Sequence, residues 1–226
     1  MSNNRGALPR SRGRGSFVVP SLVMDRNPDL HHAPPVIRPI ESAGMGALVA
    51  HLEDQLKDNG QNGTPLFQPQ SRHAPWADPE KLALFRLGLD TPVGEPKWRR
   101  AWGAFDPRGD LVGHIDLRAH FEPCTAHRAV LGMGIQRAHR GRGLGRALVE
   151  FVTSWALRET ALEWIDLEFL AGNGPAERLY RSAGFEEVVT IPDMFRVDGQ
   201  SIHNVLMTKR LRGSGGERQS RPGRSA

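Results

Sequence analysis

The chain has 226 residues, one cysteine and a formal net charge of +5. That length allows one large domain or two small ones, either able to bury a core. Cys124 cannot pair within the chain, which excludes a disulfide-stapled secreted scaffold and points to a reducing, cytoplasmic setting. No apolar run reaches the ~18 residues that span a bilayer, and the Arg-bearing start lacks a signal-peptide core, so no membrane role is expected.

The excess of base is unevenly placed. Residues 1–16 carry four arginines and no acid, and residues 211–226 carry four arginines against one glutamate. Removing these seven positive charges leaves the chain between at −2. The tails are rich in Gly, Ser, Pro and Arg and poor in large apolar groups, so disorder is predicted over 1–34 and 213–226. Phe17–Val19 and Leu22–Met24 are the segments there that could dock. A single domain is expected over 35–212. Nucleic acid is a partner only through weak contacts of the tails, because the folded part shows no recognition motif.

In chain order, Val36 to Ile40 reads as a strand. A helix is predicted over 45–57, with Leu48, Leu52 and Leu56 at four-residue spacing and Asn59-Gly60 as its stop. Residues 60–80 read as loop, holding Phe67 and Trp76. Asp78-Pro79 opens a second helix carrying Leu82, Phe85, Leu87 and Leu89. Strands over 97–105 and 111–119 are joined by Asp106-Pro-Arg-Gly-Asp110, a turn sequence. A strand follows over 129–135, then an amphipathic helix over 143–158 with Leu144, Leu148, Phe151, Val152 and Trp155 on one stripe. A strand over 162–170 precedes a helix capped by Asn173, with Pro175 in its first turn and Gly184 past its end. Strands over 187–197 and 201–209 flank Asp198-Gly199, a hairpin signal. The order β-α-α-β-β-β-α-β-α-β-β predicts an α/β domain with a mixed sheet of about seven strands and flanking helices.

The richest segment runs from strand to helix: Leu131-Gly-Met-Gly-Ile135, Gln136 to His139, then Arg140-Gly-Arg-Gly-Leu-Gly-Arg146. A helix N-terminus presents unbonded N–H groups and the positive end of a dipole. Glycines let a phosphate approach that backbone, and Arg140, Arg142 and Arg146 add charge, so the segment reads as a phosphate or pyrophosphate cradle. The dinucleotide fingerprint fails because Arg146 stands where glycine or alanine is required, and no Gly-Lys pair exists for a P-loop. What remains is R-x-x-G-x-G over Arg140 to Gly145. Tight helix–strand packing by the glycines is the alternative reading.

This segment resembles the acyl-CoA-binding motif of the GNAT superfamily of N-acyltransferases. Glu168-Phe-Leu-Ala-Gly-Asn173, Ala176, Leu179-Tyr-Arg-Ser-Ala-Gly-Phe185 and Val205-Leu-Met207 resemble the family's second half. The likeness covers about residues 129–209. It implies a GNAT fold, acetyl-CoA as acyl donor, and direct attack by an amine in a ternary complex. It further implies that Met133, Gly134 and Ile135 run beside the pantetheine arm, and that Gly141, Gly143, Leu144, Gly145 and the three arginines hold the phosphates. Asn173 would cap its helix beside CoA. By resemblance to the ribosomal-protein N-terminal acetyltransferases, Glu168 is the general base and Tyr180, the only tyrosine, the general acid. An ordinary solvated strand face for Glu168 and a packing role for Tyr180 are the alternatives. The acceptor, a small-molecule or peptide amine, is left open, with Phe67, Trp76 and residues 190–204 as candidates to shape its site. A catalytically silent acyl-CoA-binding module is the alternative function, and homodimers occur in the family. The nine histidines, including His31-His32, His114, His120 and His127, show no metal-ligand spacing, so no metal is expected.

Overall fold

A computed structural model describes residues 33–212 apart from 62, 72, 74 and 76–78. The expectations for residues 1–32 and 213–226, and for Trp76, lie outside the described residues. The elements follow the predicted order: β1 (Val36–Ile40), α1 (Met45–Leu56), α2 (Pro79–Asp90), β2 (Arg99–Phe105), β3 (Leu111–Arg118), β4 (Arg128–Ile135), α3 (Leu144–Glu159), β5 (Trp164–Leu170), α4 (Gly174–Ser182), β6 (Glu186–Val197) and β7 (Gln200–Arg210). Boundaries shift by a residue or two for local reasons. β2 begins at Arg99 rather than at 97 because Lys97 has φ +70, outside the extended region.

The seven strands form one sheet in the order β1-β2-β3-β4-β5-β7-β6. Every neighbouring pair is antiparallel except β4 with β5. A parallel pair needs a crossover, and α3 supplies it. Strand alternation then sorts side chains between the two faces. On one face, Leu148, Val149, Val152 and Ala156 of α3 are fully buried with Ile115, Leu117, Ile165 and Leu167. Trp102 meets Phe151 and Trp155 edge-on, with centroids 5.8 and 4.7 Å apart. On the other face α1 and α2 bury Leu48, Leu52, Leu56 and Phe85 against Ile40 and Ala101. Leu87, read with Leu82, Phe85 and Leu89 as an apolar residue of the second helix, is exposed, because α2 seats Phe85 and Gly88 instead.

The loop after α1 follows a path set by one side chain. Asn59 is buried; its Oδ1 accepts from the N–H groups of Phe67 and Gln68, and its Nδ2 donates to the carbonyls of Gln68 and Gln70. Leu66 then packs on the cluster of Leu170, Val197 and Ile202. The turn between β6 and β7 places Asp198 and Gly199 at φ +48 and +81, as the hairpin signal requires.

Asp166 joins β4, β5 and β7. Arg128 donates to both of its oxygens, Thr208 donates at 2.6 Å and His120 Nε2 lies at 2.9 Å. Burial alone would raise its pKa, but these bonds outweigh it and hold the carboxyl below the usual range. The stabilisation is therefore full above the unfolded carboxylate's pKa of about 4 and is lost as pH falls through the lower folded value. Asp166→Asn is expected to cost roughly 3 kcal/mol in denaturant unfolding at pH 7, with the gap to the parent narrowing below pH 4.

Candidate active site

β4 and β5 pair only from Arg128–Trp164 to Leu131–Leu167. Beyond that rung β4 stays bonded to β3 as far as Gly113–Ile135, and β5 stays bonded to β7 as far as Leu170–Asn204. The two halves of the sheet separate there, and the β4 edge from Gly132 to Ile135 has no strand beside it. Met133, Gly134 and Ile135 all lie on this open edge, half-buried.

The chain leaves β4 through a 3-10 turn at Arg137–His139 and enters α3 through Gly141 and Gly143, at φ +71 and +82. The first intrahelical bond of α3 runs from Ala147 N–H to Gly143 C=O. The N–H groups of Leu144, Gly145 and Arg146 thus have no partner within the helix, and those of Gly141, Arg142 and Gly143 bond to no backbone carbonyl among the described residues. This is a row of donors at the positive end of a 16-residue helix, beside the mouth of the opening. Gly145 has a second reason to be glycine: a Cβ there would lie 3.0 Å from Leu179 and 3.1 Å from Ile135.

The arginines divide. Arg142 and Arg146 are exposed, Arg146 pairing with Glu150 at 2.7 Å. Arg140 turns away from the helix start. Its Nε donates to Ile135 C=O at 2.9 Å, its Nη1 to Thr64 Oγ1 at 3.3 Å, and its guanidinium lies 5.7 Å from the Phe67 ring centroid. Arg137 beside it pairs with Asp58. The sequence reading counts Arg140 among the arginines of the cradle; its guanidinium lies against the loop after α1, whose partners lie more than seventy residues upstream.

Tyr180 and Glu168 flank the opening from opposite faces. Tyr180 is buried on α4, its ring 5.9 Å from both Phe169 and Phe185. Desolvation pushes its pKa up, which keeps the hydroxyl protonated. Phe169 points toward Tyr180, so Glu168, its neighbour on β5, points to the other face. Glu168 is exposed there, and Asn204 Nδ2 donates to its Oε2 at 2.8 Å. Asn173 caps α4, its Oδ1 accepting from Ala176 N–H at 3.3 Å.

Sequence reasoning passed over a polar stack behind β4. His51 and Gln55 of α1 and His114 of β3 converge on Gly134. Gln55 Nε2 donates to His51 Nε2 at 2.6 Å, and the two imidazoles meet edge-on at 5.3 Å. A Cβ on Gly134 would overlap Gln55 Oε1 and lie 2.7 Å from His114 Cε1. His51 and Gln55 at i and i+4 on a stripe of leucines were the available signal. Further along the loop, a cavity of about 410 Å³ lies between Asn59, Gln61, Leu66 and His73 and the β6–β7 turn. Its walls include Val197, Asp198 and Gln200, so it is bounded by the loop and the hairpin to which an acceptor role was assigned. Among the described residues, no group of three or more His, Cys, Asp and Glu is arranged to hold a metal.

The mixed sheet parts at its parallel pair, and a helix start flanked by glycines stands at the mouth with N–H groups that no backbone carbonyl of the described residues accepts. The model of the acetyltransferase (GNAT) family matches residues 70–185, just over half of the chain, and the chain belongs to that family. It is 34% identical over 84 residues to the streptothricin acetyltransferase of Escherichia coli, a match covering 37% of this chain and 45% of that one. The matched segments span just under half the length of the curated relatives. Among solved structures it resembles a GNAT-family acetyltransferase from Streptococcus pneumoniae, with a TM-score of 0.65 and 22% identity over 77% of this chain and 98% of that one. It also resembles a GNAT-superfamily phosphinothricin acetyltransferase from Sinorhizobium meliloti solved in complex with acetyl-CoA, with a TM-score of 0.62, 18% identity and coverage of 78% and 88%.

The buried histidines predict a pH dependence of stability. Burial lowers the His114 pKa to about 3, with His51 adding to the effect, and burial also lowers that of His51. Unfolded histidine binds a proton near pH 6.5 that the folded groups refuse, so stability is full above that value and declines as pH falls toward 3. Denaturant unfolding between pH 7.5 and 4.5 is expected to show this decline, and His114→Gln to show a shallower one.

Proposed function

We propose that the protein is an N-acetyltransferase that moves an acetyl group from acetyl-CoA to an amine by direct attack in a ternary complex. The observation that carries this reading is the parting of β4 and β5 past Leu131–Leu167 beside an unbonded helix start. Acetyl-CoA supplies an acyl group activated as a thioester. The residues fit it: the N–H groups from Gly141 to Arg146 with the exposed Arg142 and Arg146 hold phosphate oxygens, and the open edge at Met133, Gly134 and Ile135 bonds the amides of the pantetheine arm. A backbone N–H of that edge polarises the thioester carbonyl. Asn173, whose oxygen is used in the cap, keeps its amide N–H groups for the same ligand.

An alkyl amine is mostly protonated at neutral pH and must lose a proton before it attacks. Glu168, exposed and oriented by Asn204, accepts that proton directly or through water. Tyr180, kept neutral by burial, donates from its hydroxyl to the sulfur that leaves on the opposite face. The lone Cys124, exposed between β3 and β4, suits a reducing interior, which supports a cytoplasmic location.

A thiol-release assay with acetyl-CoA across amino acids, peptide N-termini, lysine side chains, polyamines and aminoglycosides tests the reading. Release with at least one class is expected; CoA binding without release from any of them leaves a silent acyl-CoA-binding module instead. Tyr180→Phe should lower kcat by about 100-fold with CoA affinity retained, and unchanged turnover would remove Tyr180 from the mechanism. Gly143→Glu should abolish CoA binding measured by calorimetry, because it sets a carboxylate among the phosphate donors and a side chain at φ +82.

A further inference from the structure

The face of the sheet that carries Glu168 also carries a cation pair that the reaction above leaves unused. Arg99 of β2 and Arg118 of β3 converge on Asp116, their Nη1 atoms 3.6 and 3.2 Å from its Oδ1. The Asp116 side chain is 8% exposed, whereas those of Arg99 and Arg118 are 21% and 36% exposed. One carboxylate answers two guanidinium groups, so the cluster carries a net positive charge. Among the described residues Arg118 bonds only through Nη1, which leaves Nε and Nη2, one edge of its planar fork, without a protein acceptor. Arg99 is fixed by its stack on Phe85, 3.9 Å from the ring centroid, and burial already disfavours its charge. An anion beside this pair would relieve both conditions.

The register puts the pair at the reaction's edge. Asp116 faces Gly132, and a Cβ there would lie 2.6 Å from Asp116 Oδ2 and 2.9 Å from Arg118 Nη1. Glycine at 132 leaves room for the guanidinium against β4. Gly132 and Glu168 are the first residues beyond the last β4–β5 rung, one on each bank of the opening, and both look to the same face. Arg118 and Glu168 therefore stand across the opening from each other, a cation and an anion flanking the site where the amine must arrive.

We propose that Arg118, backed by Arg99, forms a carboxylate subsite, and that the acceptor is a small amine bearing an acid on the neighbouring carbon, as in a free amino acid. The amine turns to Glu168 and the carboxylate takes the open edge of the Arg118 fork, which matches a carboxylate in two-point contact. Polyamines and basic peptide segments meet like charge at this position. The assignment rests on the transferase reading above.

The test compares free L-leucine, L-phenylalanine and L-glutamate with their carboxamides and their decarboxylated amines, with spermidine and a basic peptide alongside, in the thiol-release assay. The free acids should be favoured in kcat/KM by about 10- to 100-fold, the worth of a hydrogen bond to a charged group. Arg118→Met should bring the acid-to-amide ratio near one by raising KM for the acids, Arg118→Lys should restore part of it, and melting temperature and CoA affinity should match the parent. Equal use of acids and amides by the parent overturns the subsite, as does better use of spermidine or the peptide; in either case acetyl transfer itself stands. A ratio unmoved by Arg118→Met, or a loss of CoA affinity in that variant, also overturns it. If CoA binds and no amine is acetylated, the transferase reading fails and the subsite falls with it.

Discussion

The structure turns on the rung Leu131–Leu167, where the only parallel pair of the sheet ends. An unpaired strand edge inside a sheet is a liability, and most proteins close or cover it. Here each bank of the opening is held from behind by an antiparallel partner, β3 on one side and β7 on the other, so neither strand needs the other to stay extended. The edge stays available for a ligand backbone without loosening the fold. Helix α3 is the crossover that a parallel pair demands, and its N-terminus falls at the mouth for the same topological reason. The unpartnered N–H groups and the open edge are thus two results of one crossover.

The two faces of the sheet divide the chemistry. The face under α3 and α4 is apolar, and Tyr180 enters it with a ring packed between two phenylalanines. The other face is covered by α1 and α2 and also carries charge: Asp116 with its arginines on β2 and β3, Asp166 with Arg128 across β4 and β5, and Glu168 with Asn204 across β5 and β7. An exposed carboxylate, Glu168, and a buried phenol, Tyr180, flank one opening from the two sides of the sheet. Glycines at 132 and 134 thin β4 where side chains from β3 and α1 lean against it.

Much of this was legible in the sequence because it is local. The cap at Asn173, the turn at Asp198-Gly199, the stripe of α3 and the glycines before it are each set by neighbours within a few residues. The features that escaped are those that register or distance create. Arg99, Asp116 and Arg118 look like ordinary strand charges until pairing sets them in adjacent rows. Arg140 belongs to a motif by spacing, yet its side chain answers to Thr64 and Phe67, which no local pattern links to it. The length of the β4–β5 ladder has no sequence signal either, since both strands continue past the point where they part. Leu87 shows the converse: being one of four large apolar residues on α2 does not fix which side of that helix meets the sheet.

Asn59 bonds to four backbone groups of the loop it anchors and, among the described residues, to none of that loop's side chains. These four bonds are therefore independent of what residues 67, 68 and 70 are. One asparagine fixes this stretch of backbone without reading a side chain at those positions. Substitutions at 67, 68 or 70 leave the backbone bonds in place, so what this segment presents can change while its anchor to Asn59 does not.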